Sequence, residues 1–182
     1  MKYIVLDLEC TCWDRNDPHR DDHETIEIGA VFLDKDFNKL GQYHKYTWPK
    51  YNQTISEYCT DLTGITRSTL NRYAVSFYVA MITLGRHMRS LSDTEPILCS
   101  WGYFDKKQLE KDCLAWKCQY PFSNKHINIK QLFLDKHNRK RVGLQKAVRI
   151  AGLRFNGQPH SGIDDANMAA EIFRLLKKTK SG

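Results

Sequence analysis

The residues best placed to do chemistry are acids standing where a protein core belongs. The segment YIVLDL (3–8) reads as a short buried strand carrying Asp7 near its end, and Glu9 follows two residues later. Side chains alternate along a strand, so Tyr3, Val5, Asp7 and Glu9 share one side while Ile4, Leu6 and Leu8 share the other. The two carboxylates then project from one face, roughly 7 Å apart. Two anions so placed repel each other and lose hydration. A divalent cation removes both penalties, and oxygen-only ligands suit Mg²⁺ or Mn²⁺. Taken alone, the D-x-E tripeptide leaves a second reading open, in which the strand stops at Leu8 and Glu9 is a solvated loop residue.

The last helical segment supplies matching chemistry. Asp165, Ala169, Ile172 and Leu176 follow at steps of four, three and four, which puts a carboxylate on an apolar helix face. A metal shared with Asp7 would give it a partner. Asp164 is turned about 100° away and reads as an acid favoured by the helix dipole. His160 precedes Asp165 by five residues and can converge with it only from a loop, which Pro159 and Gly162 permit. A neutral imidazole there could take a proton from a water. Taken singly, a surface loop histidine is the commoner case. Asp105, in CSWGYFD (99–105), opens a helix after an apolar strand, surrounded by Trp101, Tyr103 and Phe104. Its plainer reading is a helix N-terminal acid. The aromatics would serve either the core or a stacked nucleobase.

These groups need elements to hold them. TIEIGAVFLD (25–34) and KLGQYHKYTW (39–48) read as two more strands, and the turn 34–38 makes them an antiparallel hairpin. Ser76 caps a helix running to Leu91, with Phe77, Ala80, Met81, Leu84 and Met88 on one face. PILCSW (96–101) is a fourth strand. Helices are expected over 103–117, 143–152 and 161–178. The order predicts a mixed α/β sheet with helices packed on its faces.

Composition narrows the classes. The 182 residues suit one domain of ordinary size, and no apolar run reaches the roughly 18 residues of a membrane span. A signal peptide and a membrane anchor are not expected. There are 28 Lys and Arg against 21 Asp and Glu, a net charge of +7 that favours anionic partners, nucleic acid first. The six cysteines form no paired CxxC motifs and are expected as reduced, mostly buried thiols in a reducing, cytoplasmic setting. KHNRKR (136–141) offers Lys136, Arg139, Lys140 and Arg141 as a patch that tracks phosphates or, more plainly, as a solvated loop. Lys177, Lys178 and Lys180 read as a soluble helix end.

Together the motifs resemble the DEDDh family of 3′→5′ exonucleases, which share an RNase H-like fold. The family's D-x-E with a following Thr matches Asp7, Glu9 and Thr11 in DLECTCW; its second acidic motif matches Asp105. Its H-x4-D matches His160 and Asp165 in PHSGIDDANMAAEIF. IEIGAV (26–31), LTGIT (62–66) and GLQKAVRIAGL (143–153) also look like family sequence. PHSGIDDA, LTGIT and YPFSNKHINIK (120–130) resemble the branch holding the histone-mRNA 3′ exonucleases and the bacterial KapD-like proteins. One departure is that Asp105 lies four residues after Trp101, where some animal members place it directly after the tryptophan.

The resemblance implies an RNase H-like mixed sheet, antiparallel in its first strands and then parallel, with helices on both faces. It implies a single exonuclease domain over 1–182; a second departure from the family is that this leaves no room for the extra nucleic-acid-binding domain that some members carry, and the targeting such a domain provides is not expected. It implies a two-metal phosphodiester hydrolase releasing nucleoside 5′-monophosphates from RNA 3′ ends, with RNA preferred over DNA. Asp7, Glu9 and Asp165 would hold one Mg²⁺ that lowers the pKa of the attacking water. Asp7 with Asp105 would support a second, Mn²⁺ would substitute, and His160 would take the proton. Leu8, Thr11, Leu62 and Ile65 would contact the terminal nucleotide, and Trp101 would stack on a base; plain packing is the alternative for these apolar residues. A DNA exonuclease and a non-catalytic nucleic-acid-binding module are the competing readings. The sequence leaves open whether the chain is a monomer or a homodimer.

Overall fold

Nine consecutive residues of one strand, Thr25–Leu33 (β2), are buried in the computed structural model, which describes residues 1–92 and 94–178. A strand covered on both faces needs helices on both sides, and the rest of the chain supplies them. β1 (Tyr3–Cys10) and β3 (Lys39–Trp48) flank β2 antiparallel, β4 (Val75–Ser76) adds parallel to β3, and β5 (Ile97–Ser100) and β6 (His126–Asn128) add parallel beyond β1. The order across the sheet is β4-β3-β2-β1-β5-β6. The expected hairpin turn closes through Asp34, whose Oδ1 accepts the N–H groups of Asp36 and Asn38.

The helices are α1 (Glu57–Thr63), α2 (Arg67–Tyr73), α3 (Phe77–Leu91), α4 (Phe104–Ala115), α5 (Ile129–Lys136), α6 (Leu144–Ile150) and α7 (Gly162–Lys178). Alternation in β1 divides the core between the two faces. Ile4, Leu6 and Leu8 join α3 residues Phe77, Ala80, Met81, Leu84 and Met88 on one side. Val5 joins α5, α6 and α7 residues, including Phe133, Val148, Ile172 and Phe173, on the other. Asp7 and Glu9 are in phase with Val5, so they face α7. Ser76 caps α3 by accepting the Val79 N–H, as its sequence suggested.

The elements that hydrophobic periodicity did not reveal are short. α1, α2 and α5 have seven, seven and eight residues, and β4 and β6 have two and three. The three helices are set by N-caps on Ser56, Thr66 and Asn128 and show too few turns for a period to emerge. Among the described residues, no helix is long and apolar enough to cross a membrane. The six cysteines are unpaired, and four of them are buried.

Candidate active site

Placing a helix end against the middle of a sheet requires a missing side chain. Asp7 pairs with Gly29 across β1 and β2, and a Cβ on Gly29 would lie 2.2 Å from the Gly162 backbone at the start of α7. Glycine therefore lets the α7 N-terminus reach the acids of β1. Glu27, the register partner of Glu9, fastens it there: its Oε2 accepts the Gly162 N–H at 3.0 Å. His44 Nε2 lies 2.7 Å from Glu27 Oε1, close enough for an ion pair but out of line for a hydrogen bond.

The loop before α7 is fixed by Asp164, whose Oδ2 accepts the Gln158 N–H at 2.9 Å. Gly157, at φ +103°, gives that carboxylate room. The sequence presented Asp164 as a dipole acid; the structure gives it this bracing role as well. His160 then sits in the left-handed region at φ 63°, two residues ahead of the helix, as convergence with Asp165 demanded. One ligand atom each from Glu9, His160 and Asp165 falls within 4.8 Å of the others. Asp165 Oδ1 is buried without a hydrogen-bond partner. Ala169, Ile172 and Leu176 continue its face into the core.

Asp105 arrives from the other side of β1. β5 pairs with β1 only along Tyr3, Ile4 and Val5, after which its chain turns away through Gly102. The Leu8 N–H left over is taken by Asp105 Oδ1 at 3.2 Å, in the first turn of α4. A buried N–H must find an acceptor, and this one pins a carboxylate beside Asp7 and Glu9. Glu9 is buried and on β1, so the solvated-loop reading fails.

These acids strain one another. Burial, then the Asp105, Asp165, Glu9 and Glu27 carboxylates, hold the Asp7 carboxyl well above its usual range. Burial, with Asp165, Glu27 and Asp105 adding, pushes Glu9 up to about 9. Burial also raises Asp165 to about 7, against a hydrogen bond from the His160 backbone. Asp105 rises to about 6 by burial, opposed by hydrogen bonds from the Leu8 N–H, its own N–H and the Ser100 hydroxyl. Clustered acids that resist ionisation, with one buried oxygen unpartnered, form a donor set suited to a hard divalent cation.

The model of the exonuclease (RNase_T) family matches residues 4–173. The chain belongs to that family. Among its relatives, mouse ERI1 exoribonuclease 2 is 30% identical over 96% of this chain and 28% of its own length. Rat 3′-5′ exoribonuclease 1 is 31% identical over 95% of this chain and 52% of its own. The chain thus spans between about a quarter and a half of these two relatives. The nuclease domain of 3′hExo, a DEDDh family member solved bound to rAMP, superposes with a TM-score of 0.87 at 25% identity, covering 97% of this chain and 92% of that one. A 3′-exonuclease from a structure of 3′-end-specific recognition of a histone mRNA stem-loop gives 0.88 at 25% identity, covering 97% and 81%. The observed sheet is the RNase H-like fold of this exonuclease family, whose DEDDh members are metal-dependent.

The remaining anticipated contacts scatter. Leu8 points its side chain into the opposite core and contributes its backbone N–H instead. Thr11 is buried, its hydroxyl donating to the Asp22 carbonyl and accepting the Glu24 N–H. Ile65 packs with Ile26, Cys59 and Leu70 at 2% exposure, whereas Leu62 is 37% exposed. Trp101 leans on Phe133, with ring centroids 5.8 Å apart. Arg139, Lys140 and Arg141 are exposed in the loop after α5. That loop begins where Lys136 and His137 line one cavity with Ile172 and Leu176, about 10 and 16 Å along α7 from Asp165. Glu27 is the site residue that sequence patterns did not single out. Its signal was an acid in the apolar run TIEIGAVFL, in phase with Gly29.

The backbone of His160 permits a sharp test of its role. A non-glycine residue at positive φ costs roughly 1–3 kcal/mol, so His160→Gly should raise the metal-free melting midpoint by about 2–4 °C for each kcal/mol relieved. The same substitution should lower hydrolysis by roughly 10²–10⁴-fold if the imidazole moves a proton. Calorimetry and a cleavage assay on one preparation check both. A stable variant of full activity would remove His160 from the reaction.

Proposed function

We propose that residues 1–182 form a single metal-dependent 3′→5′ exonuclease domain. It removes nucleoside 5′-monophosphates from the 3′ end of RNA, either single-stranded or bearing a 3′ overhang. The observation that carries this reading is the convergence of Glu9, His160 and Asp165 within 4.8 Å around an unpartnered buried oxygen. The names of the relatives, exoribonucleases, support RNA over DNA as substrate.

Asp7, Glu9 and Asp165 would hold one divalent cation, and Asp7 with Asp105 would support a second; Mg²⁺ is the natural occupant and Mn²⁺ a substitute. Bound there, the ions would supply charge stabilisation at the phosphate and a more acidic water. The chain's own residues do the rest. His160 receives the proton of the attacking water on an imidazole nitrogen. Glu27 and Gly29 keep the α7 end, and with it His160 and Asp165, against β1. Leu62 would border the terminal nucleotide. Arg139, Lys140 and Arg141, exposed in the loop after α5, would meet substrate phosphates. A cytoplasmic location fits the six free thiols.

Incubation of the protein with 5′-labelled RNA and DNA of matched sequence, in Mg²⁺, Mn²⁺ or EDTA, tests this. A ladder shortened from the 3′ end, dependent on metal and faster on RNA, is expected. Binding without shortening would make the chain a nucleic-acid-binding module. Faster loss of DNA would reassign the substrate, and internal cuts on a 3′-blocked RNA would make it an endonuclease.

A further inference from the structure

Two of the six thiols meet beside the site, brought together by one hydroxyl. Cys12 follows the end of β1, three residues beyond Glu9, and Cys59 lies in the first turn of α1. Ser56, the N-cap of α1, donates its hydroxyl to the Cys12 carbonyl at 2.5 Å and accepts the Cys59 N–H at 2.9 Å. That bridge sets the two cysteine backbones side by side. Cys12 packs against the cluster of Ile26, Cys59, Ile65 and Leu70. Its thiol donates to the Cys59 sulfur, and that hydrogen bond draws Cys59 down to about 7. Cys59 is fully buried, whereas Cys12 is partly open to solvent. Two thiols alone do not complete a zinc site. What a pair so placed can do is join as a disulfide.

The helix that carries Cys59 links the pair to the reacting groups. α1 ends at Gly64, in the left-handed region at φ 74°, just after Leu62. A Cβ on Gly64 would lie 3.0 Å from the Gln158 side-chain nitrogen, so this end of α1 abuts the loop that carries His160. The other end holds the thiols. A disulfide keeps its sulfurs about 2 Å apart, closer than a hydrogen bond does. Its closure would also take the Cys59 sulfur from the Cys10 carbonyl, which it now meets at 3.5 Å. A seven-residue helix moves as one piece. Drawing its start toward β1 therefore shifts Leu62 and Gly64 against Gln158, in an interior too closely packed to absorb the change locally.

We propose that Cys12 and Cys59 form a redox-modification site that peroxides close to a disulfide, and that closure reversibly lowers exonuclease activity. The proton between the sulfurs passes to Cys59, and the Cys12 thiolate, the one reached from solvent, attacks a peroxide oxygen. The O–O bond breaks, leaving Cys12 sulfenic acid and, from hydrogen peroxide, hydroxide. The Cys59 sulfur then displaces the sulfenic oxygen, which leaves with the Cys59 proton as water. The two electrons lost by the sulfurs have reduced the peroxide. Transient disulfides of this kind belong to proteins that otherwise keep their thiols reduced. The loss of activity rests on the exonuclease reading; the bond itself does not.

The reduced chain is treated with limiting hydrogen peroxide and followed by non-reducing peptide mapping, by cleavage of labelled RNA in Mg²⁺ and by melting. Mapping should find Cys12 joined to Cys59. Cleavage should fall roughly 10- to 100-fold, as small displacements near reacting groups do, and dithiothreitol should restore it. Cys12→Ser should form no such link and keep its activity under the same peroxide, and Cys59→Ala tests the pair from its buried side. Cys113→Ser, which breaks the other thiol contact, between Cys113 and Cys118, should behave as the parent does. The bond closes a loop of roughly 50 residues, so the oxidised parent should melt roughly 8–16 °C above the reduced one. If the reduced parent cuts no RNA, the exonuclease reading falls and the pair is judged on mapping and melting alone. A parent in which peroxide leaves Cys12 and Cys59 unlinked would overturn the proposal. So would a linked parent of full activity, or an equal peroxide loss in Cys12→Ser.

Discussion

Asp7→Asn should abolish measurable exonuclease activity without weakening the fold. Asp7 is the acid that faces all the others, feeling Asp105, Asp165, Glu9 and Glu27. It is also the one assigned to both cation positions. Removing its charge should cost at least about 10³-fold in hydrolysis, some 4 kcal/mol of transition-state stabilisation. A structural acid would behave otherwise, since its loss would leave donors unpaired and lower stability. Burial, with the neighbouring carboxylates, holds the Asp7 carboxyl well above its ordinary range, so in the metal-free protein its ionised form is disfavoured. Asparagine has nearly the same shape and no charge. The metal-free melting midpoint should therefore not fall below the parent's, and any gain over the parent should grow as pH rises. A midpoint that drops by several degrees would mark Asp7 as a packing residue, and near-parental cleavage would remove it from the site.

The second large effect links pH, metal and stability. Glu9 moves from an ordinary 4.5 to about 9 and Asp165 from 3.8 to about 7 in the folded, metal-free chain, with Asp105 reaching about 6. All three are raised, so the folded state binds more protons than the unfolded state between about pH 4 and 9. Stability then falls as pH rises: the contribution is complete below pH 4 and gone above about 9. A divalent cation requires the ionised acids, so its stabilisation runs the opposite way. At 100 times its dissociation constant a ligand adds about 2.7 kcal/mol, or roughly 5–11 °C for a chain this size. Melting scans from pH 5 to 9, with and without Mg²⁺, should show a falling metal-free curve and a metal gain that grows with pH. Glu9→Gln should flatten both. A metal gain independent of pH would contradict the proposed ligand set.

Both effects depend on how tightly the carboxylates are confined, and that confinement has an identifiable origin. Gly29 admits the α7 backbone, Glu27 ties it down, and the end of the β5 pairing leaves the Leu8 N–H for Asp105. Each is a backbone-level interaction between segments far apart in the chain.

What the sequence determined by itself was local and periodic. Two-residue alternation in β1 placed Asp7 and Glu9 on one face. Helical spacing placed Asp165 above Ala169, Ile172 and Leu176, and the angle between His160 and Asp165 required a loop at 160. The long strands, the 34–38 turn and the α3 face followed from the same periods. The resemblance to the DEDDh exonucleases joined these separate pieces into one expected site.

Tertiary structure alone decided which side chains remained for a substrate. Thr11 and Ile65 are consumed by local bonding and packing, while Phe104 and Tyr103, indistinguishable in sequence from core aromatics, stand at the surface. It also decided that Glu27 is part of the site, its carboxylate holding the start of α7. The reason is physical. Alternation and helical period are properties of neighbours in sequence, whereas desolvation, register and the acceptor for a stranded N–H depend on what another segment brings to the same place.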